Sequence, residues 1–163
     1  FNISFARLPD GVKAETQGMI AWNASDYNGE PDAQIIKGLG HSQSAVLLPK
    51  GKTLTYEVYT ASSGNTVLRT ALLPGHAVNG GHLRYSVSVD ELPSRIVPYD
   101  AVIGTEEWKT NVLRGQTLKE TFFQLDIPGR HIIRIKALDN DVVIDQLMLD
   151  FDVERKFYQF PVR

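Results

Sequence analysis

Between Gly81 and Asp90 the chain alternates with a period of two. Leu83, Tyr85, Val87 and Val89 are apolar, and Arg84, Ser86, Ser88 and Asp90 are polar. This is the pattern of a half-buried β-strand, one face on a core and the other toward water. Gly80-Gly81 before it and Asp90-Glu91-Leu92-Pro93 after it are turn signals. The same unit recurs at 54–61, where Leu54, Tyr56 and Val58 share a side, and at 66–74, 131–138 and 141–151. Shorter candidate strands lie at 12–17 and 18–22, with two more around Gly38 and Gly40.

The segments between these strands differ in kind. Asn23 to Asp32 is a turn-rich loop that follows Trp22 and presents Tyr27. Residues 90–99 hold Pro93 and Pro98 and read as an irregular edge segment, because proline cannot donate to an inner ladder. Thr105-Glu106-Glu107 is a helix-start signal, with Trp108, Val112 and Leu113 at helical spacing behind it. One short helix is predicted there, and 117–126 is either a strand or the end of that helix.

Many short strands, frequent turns and one helix predict an all-β, jelly-roll-like β-sandwich. The expected division is a linker or edge strand at 1–11, the sandwich module at 12–152, and a C-terminal tail at 153–163 docked by its aromatics.

Composition narrows this picture. The 163 residues suffice for one domain with a full core, and 42% hydrophobic with 22% charged residues is ordinary for a globular protein. A net charge of −2 with no basic run gives no reason to bind nucleic acid or an acidic membrane. No apolar run is long enough to span a bilayer. The absence of cysteine removes disulfides, thiolate catalysis and cysteine-ligated zinc. Because the chain opens with Phe1, it is read as a piece of something longer. Its compartment is left open, with an exported bacterial protein, periplasmic or extracellular, as the expectation.

The search for chemistry is mostly negative. No nucleophile elbow, zinc-protease, Walker or dinucleotide motif occurs, and Gly38-Leu39-Gly40 reads as a turn or bulge. His41, His76, His82 and His131 lack metal-ligand spacing, and His131 reads as a hydrogen-bonding turn residue. Asp139, Asp141, Asp145, Asp150 and Asp152 form no EF-hand loop. A non-helical calcium site using Glu15 with Asp145 or Asp150 competes with the simpler reading of a solvated turn and polar strand face. Trp22 and Tyr27 are candidate stacking platforms for a sugar ring, and Trp108 is read as a core plug at one end of the sandwich. No cofactor is expected.

Five stretches in order carry a resemblance: Lys37 to Val46 (KGLGHSQSAV), Leu73 to His76 (LPGH), Leu83 to Asp90 (LRYSVSVD), Trp108 to Leu113 (WKTNVL) and Pro128 to His131 (PGRH). Together they resemble the C-terminal β-sandwich domain of glycoside hydrolase family 115, over roughly residues 12–152. Enzymes of that family are α-glucuronidases that release glucuronic acid, or its 4-O-methyl ether, from xylan. The resemblance implies a non-catalytic module, because the family's catalytic carboxylates sit in other domains.

Similar sugar-binding jelly rolls often hold a structural calcium through an E-A-E arrangement on the first strand. Lys13-Ala14-Glu15 stands there in this chain. An ammonium in the first carboxylate's place repels a cation and stands in for one, so no metal is assigned.

The expected function is therefore that of an accessory module, not an enzyme on its own, supporting the architecture, the dimer or the substrate site of a parent glycoside hydrolase. The alternative is an autonomous carbohydrate-binding module for xylan or glucuronic-acid-bearing oligosaccharides, with Trp22 and Tyr27 as its contacts. The implied partners are the other domains of the parent, plant polysaccharide or oligosaccharide, and a second copy in a homodimeric parent. An interdomain piece is further expected to leave an apolar face bare, around Phe157 to Phe160.

Overall fold

The computed structural model describes residues 13–29, 31–75, 81–101 and 103–156. Eleven strands and one helix follow each other as β1 (Lys13–Ala14), β2 (Met19–Asn23), β3 (Gln34–Lys37), β4 (Ser44–Leu48), β5 (Thr53–Thr60), β6 (Gly64–Leu72), β7 (Arg84–Val89), β8 (Arg95–Pro98), α1 (Glu106–Arg114), β9 (Thr117–Leu125), β10 (Gly129–Ala137) and β11 (Val142–Asp150). They form two sheets, ordered β1-β5-β10-β7-β8 and β3-β4-β11-β6-β9, so the sandwich expectation holds. β2 pairs with the second half of β11, whose first half pairs with β4.

The period-two segments became strands of the expected polarity. β5 and β7 alternate between buried and half-buried positions along their whole length. Leu54, Tyr56, Val58, Tyr85, Val87 and Val89 meet Leu68, Leu72, Ile144, Leu147 and Leu149 of the other sheet in one core. β8 lies at the edge of its sheet and contains Pro98, as the two prolines predicted. Residues 117–125 are strand throughout, which settles the alternative left open for them.

β11 departs from the alternating pattern, because it is buried on both faces over Ile144–Asp150. It is a central strand, flanked by β6 on one side and by β4 and β2 on the other. On the β6 side its register shifts between Ile144 and Gln146, a bulge that leaves Asp145 without an opposite residue on β6.

α1 is built as its caps dictate. Thr105 accepts a hydrogen bond from the Trp108 amide, Glu106 and Glu107 occupy the first turn, and Gly115 closes the helix with φ of 72°. Its packing differs from the sequence expectation. Trp108 is half-buried rather than a core plug, Val112 and Leu113 are 49% and 89% exposed, and Asn111 is the buried residue of the helix. The expected edge strand or linker at 1–11 and the apolar face around Phe157–Phe160 lie outside the described residues. Among the described residues no helix is long and apolar enough to cross a membrane.

Candidate functional site

Three features of the sandwich carry more than packing: a buried carboxylate cradled by a glycine loop, a buried lysine at the first strand, and a helix with exposed apolar side chains.

The cradle is built from the stretch between β3 and β4. Gly38 and Gly40 both take positive φ, which folds residues 38–43 into a tight loop against β11. Asp145 of β11 is fully buried, and its carboxylate accepts four hydrogen bonds. These come from the amides of His41 at 2.7 Å and Ser42 at 3.1 Å, Ser42 Oγ at 2.5 Å and Gln116 Nε2 at 2.8 Å. A Cβ on Gly40 would run into that carboxylate, so the loop needs glycine for space as well as for φ. His41 Nε2 lies 3.0 Å from the Arg114 carbonyl, which ties the same loop to the last turn of α1. Asp145 itself is sealed from solvent by these donors. The sequence reading of Gly38-Leu39-Gly40 as a turn is right in form but missed what the turn encloses.

Asp150 is the second buried carboxylate of β11. Arg69 Nη1 at 2.5 Å and Arg155 Nε at 2.8 Å both donate to its Oδ2. Arg69 also reaches the carbonyls of Asp152 and Arg155, so this cluster pins the segment after β11 onto the sheet. Asp145 and Asp150 are thus buried and engaged, which corrects the reading of both as part of a solvated polar face. Asp139, in contrast, is held at the surface by Arg84, at 2.9 and 3.1 Å.

The residues at the first strand do not fit a calcium ion. Lys13 Nζ donates to the Asp26 carbonyl at 2.7 Å and lies 5.8 Å from the Tyr56 ring centroid. The Glu15 carboxylate accepts from the amide and hydroxyl of Ser62 at 3.1 and 2.8 Å. Glu15, Asp145 and Asp150 therefore lie in three separate networks, and among the described residues no three acidic or imidazole groups converge. A hard cation wants several oxygens; this position offers a carbonyl already bound to an ammonium. Burial lowers the Lys13 pKa, and the Asp26 carboxylate works in the opposite direction.

The sugar-stacking candidates separate in the structure. Trp22 lies on β2, close to the strand expected at 18–22; it is 6% exposed and packs against Tyr56 with ring centroids 5.5 Å apart. That corrects its reading as a stacking platform: its ring face is spent on the core. Tyr27 is half-buried, leaning on the same core from the loop. His131 sits on β10, with Nδ1 2.5 Å from Asp90 Oδ2 and Nε2 2.8 Å from the Ile127 carbonyl.

Two surfaces were not anticipated. The first is the outer side of α1, where Val112 and Leu113 stand exposed; Ile103, ahead of the helix, is also 59% exposed. The second is a groove of about 510 Å³ between the edge strands β8 and β9, lined by Arg95, Ile96, Glu120 and Phe122 among others. Phe122 is 53% exposed, and Arg95 lies over the Phe123 ring at 5.8 Å.

Comparison with known proteins agrees with this architecture. The family model described as "Glycosyl hydrolase family 115 C-terminal domain" matches residues 13–162. Among solved structures, a family GH115 4-O-methyl-α-glucuronidase with specificity for decorated arabinogalactans is 32% identical, with a TM-score of 0.76. That match covers 83% of this chain but only 18% of the enzyme. An exo-β-1,3-galactanase from Phanerochaete chrysosporium is 16% identical at TM-score 0.58, over 83% of this chain and 30% of that one. A family 35 carbohydrate-binding module from Clostridium thermocellum is 16% identical at TM-score 0.56, over 80% of this chain and 96% of that one. At such identity the last two share the fold alone. No curated protein matches the sequence.

Proposed function

This chain belongs to the C-terminal domain family of family 115 glycoside hydrolases, and from that premise we propose that it is a non-catalytic accessory module docked on its parent enzyme through the outer face of α1. The observation that carries this reading is Leu113, a large apolar side chain 89% exposed on a helix whose ends are both capped. A short helix with Val112 and Leu113 turned outward gains nothing from them in isolation, and such exposed apolar side chains are what an interdomain contact covers. The occupant is another part of the parent chain, since this domain spans 18% of the related enzyme.

The test uses a family 115 enzyme carrying this domain. Leu113→Asp should weaken docking, seen as separate unfolding of the domain and a loss of several-fold in α-glucuronidase activity, while the isolated domain keeps its melting temperature. Unchanged activity and a single unchanged unfolding transition in the full-length variant would exclude this face as the contact.

A second reading, glycan binding by the module itself, is favoured by the groove between β8 and β9. Phe122 offers an exposed ring for the CH face of a pyranose. Arg95 brings a guanidinium to the same groove, which suits an acidic sugar. Tyr27 is the other contact carried by this reading; Trp22 is not. NMR titration of the isolated chain with aldouronic xylo-oligosaccharides and with free glucuronic acid separates the sites. Saturable shifts at Phe122 and Arg95, or at Tyr27, support it; a flat titration to millimolar sugar rejects it.

A further inference from the structure

We infer that the Lys13 side chain is a built-in cation: its ammonium holds the oxygen-rich turn at Ala24–Asp26 against the first strand, and a carboxylate in its place would turn the domain into a calcium-dependent one.

The turn presents its carbonyls toward β1 and β5. Tyr56 Oη donates to the Ala24 carbonyl at 2.6 Å, and Lys13 Nζ to the Asp26 carbonyl at 2.7 Å. The Asp26 amide closes the turn on the Asn23 carbonyl at 3.0 Å, and the Ala24 amide joins it to the Asp145 carbonyl on β11 at 2.9 Å. These carbonyls are the ligand type a hard cation takes, and an ammonium satisfies the same oxygen by donating to it. Tyr56 adds a ring face within cation–π range of Nζ.

The need for such a tie follows from the size of β1. It has two residues and pairs in parallel with β5 only, Lys13 opposite Val58 and Ala14 opposite Tyr59. A two-residue parallel ladder is weak by itself. Lys13 is nevertheless only 9% exposed, so its ordering is part of the fold rather than a surface accident. Glu15, on the same side of the strand, is turned to Ser62. The first described strand is therefore anchored by side chains at both positions, one positive and one negative, and the Glu15 carboxylate is already engaged.

The experiment is thermal unfolding and calorimetric titration of three forms in EDTA and in millimolar CaCl2, with NaCl matched for ionic strength. Wild type should melt at the same temperature in both and take up no calcium. Lys13→Met should melt several degrees lower in both, because the Asp26 carbonyl loses its donor. Lys13→Glu should melt lower in EDTA and recover by several degrees in calcium alone, with saturable heat of binding. Calcium stabilisation of wild type would overturn the inference, as would a Lys13→Met protein as stable as wild type. A Lys13→Glu protein that folds but ignores calcium would overturn it too. Should Lys13→Glu fail to fold, the first two forms still decide.

Discussion

β11 buries two carboxylates, Asp145 and Asp150, and the chain stabilises them in opposite ways. Asp145 is surrounded by neutral donors, two amides, a hydroxyl and a carboxamide, all within 3.1 Å. Asp150 is met by two guanidinium groups on one oxygen. The first arrangement uses a charge to order a loop: Asp145 collects dipoles that residues 38–43 could not otherwise satisfy while folded so tightly. The second uses charges to fasten a segment: Arg69 and Arg155 bring residues 152–155 down onto the sheet. An acid held by dipoles gives a rigid loop whose geometry is set by glycine; an acid held by guanidinium groups gives a pinned chain.

The largest effect should come from breaking the ionic member. Asp150→Asn leaves Arg69, 1% exposed, without its buried counter-charge, a loss on the order of 3–5 kcal/mol. For a domain of this size that is roughly a 10 °C fall in melting temperature. Hydrogen exchange should quicken at 152–155 and stay slow at His41 and Ser42. Equal acceleration at both places would show that the two networks are one.

Asp145→Asn is the complementary variant, with an expected loss of about 2–3 kcal/mol, since its amide must face donors with a donor. Exchange should then quicken at His41 and Ser42, and at the Gly115 amide through the His41–Arg114 link, with 152–155 unaffected. Gly40→Ala should resemble it, because the new Cβ displaces the same carboxylate. A Gly40→Ala protein as stable as wild type would show that the cradle tolerates being opened.

Buried phenols contribute at the other end of the pH scale. Burial raises the pKa of Tyr56, Tyr85 and Tyr99 above the ordinary phenol value of about 10. An acid whose folded pKa is raised keeps its proton in the native state while the unfolded chain releases it. Stability therefore holds up to about pH 10 and falls as pH rises further, with up to three protons linked to unfolding. Chemical denaturation at pH 8 to 11 measures this slope. Tyr56→Phe should flatten it by about one proton, at the cost of the bond to the Ala24 carbonyl. An unchanged slope would mean that Tyr56 ionises freely in the fold.

Much of this was legible in the chain, and the parts that were not share a cause. Strands with one face in the core, such as β5 and β7, announce themselves by alternation. β11 does not, because a central strand buried on both faces carries polar residues whose partners are far away in sequence. Nothing local marks Asp145 as the centre of a loop a hundred residues earlier, although Gly38 and Gly40 show that the loop is tight. Trp22 stands beside a turn-rich segment and reads as an aromatic free to stack on a sugar, but β2 joins β11 and carries the ring inside. The helix was placed correctly by its caps. Trp108 was taken for core because a surface helix usually turns its large apolar residue inward, and here the helix buries Asn111 and is held by polar ties instead. The five motifs that identify the family include KGLGHS, the cradle itself, so the resemblance pointed at a feature whose physical role only the fold exposes.

The smallest effect expected is at Asp139, the surface counterpart of the two buried acids. The hydrogen bond from Arg84 is the main influence lowering its pKa, with burial opposing it. A carboxylate with a depressed folded pKa contributes stability above its ordinary value, near pH 4, and loses it as pH falls through the folded value. Arg84→Gln should thus be slightly less stable than wild type at pH 6, and the two should converge toward pH 2. Arg84 is 40% exposed, so water and salt screen the pair, and the difference at pH 6 should shrink further in 1 M NaCl. An offset that persists unchanged at pH 2 and in high salt would assign Arg84 a packing role, its stem covering the edge of β7, and would leave Asp150 as the acid of this module whose charge matters most to the fold.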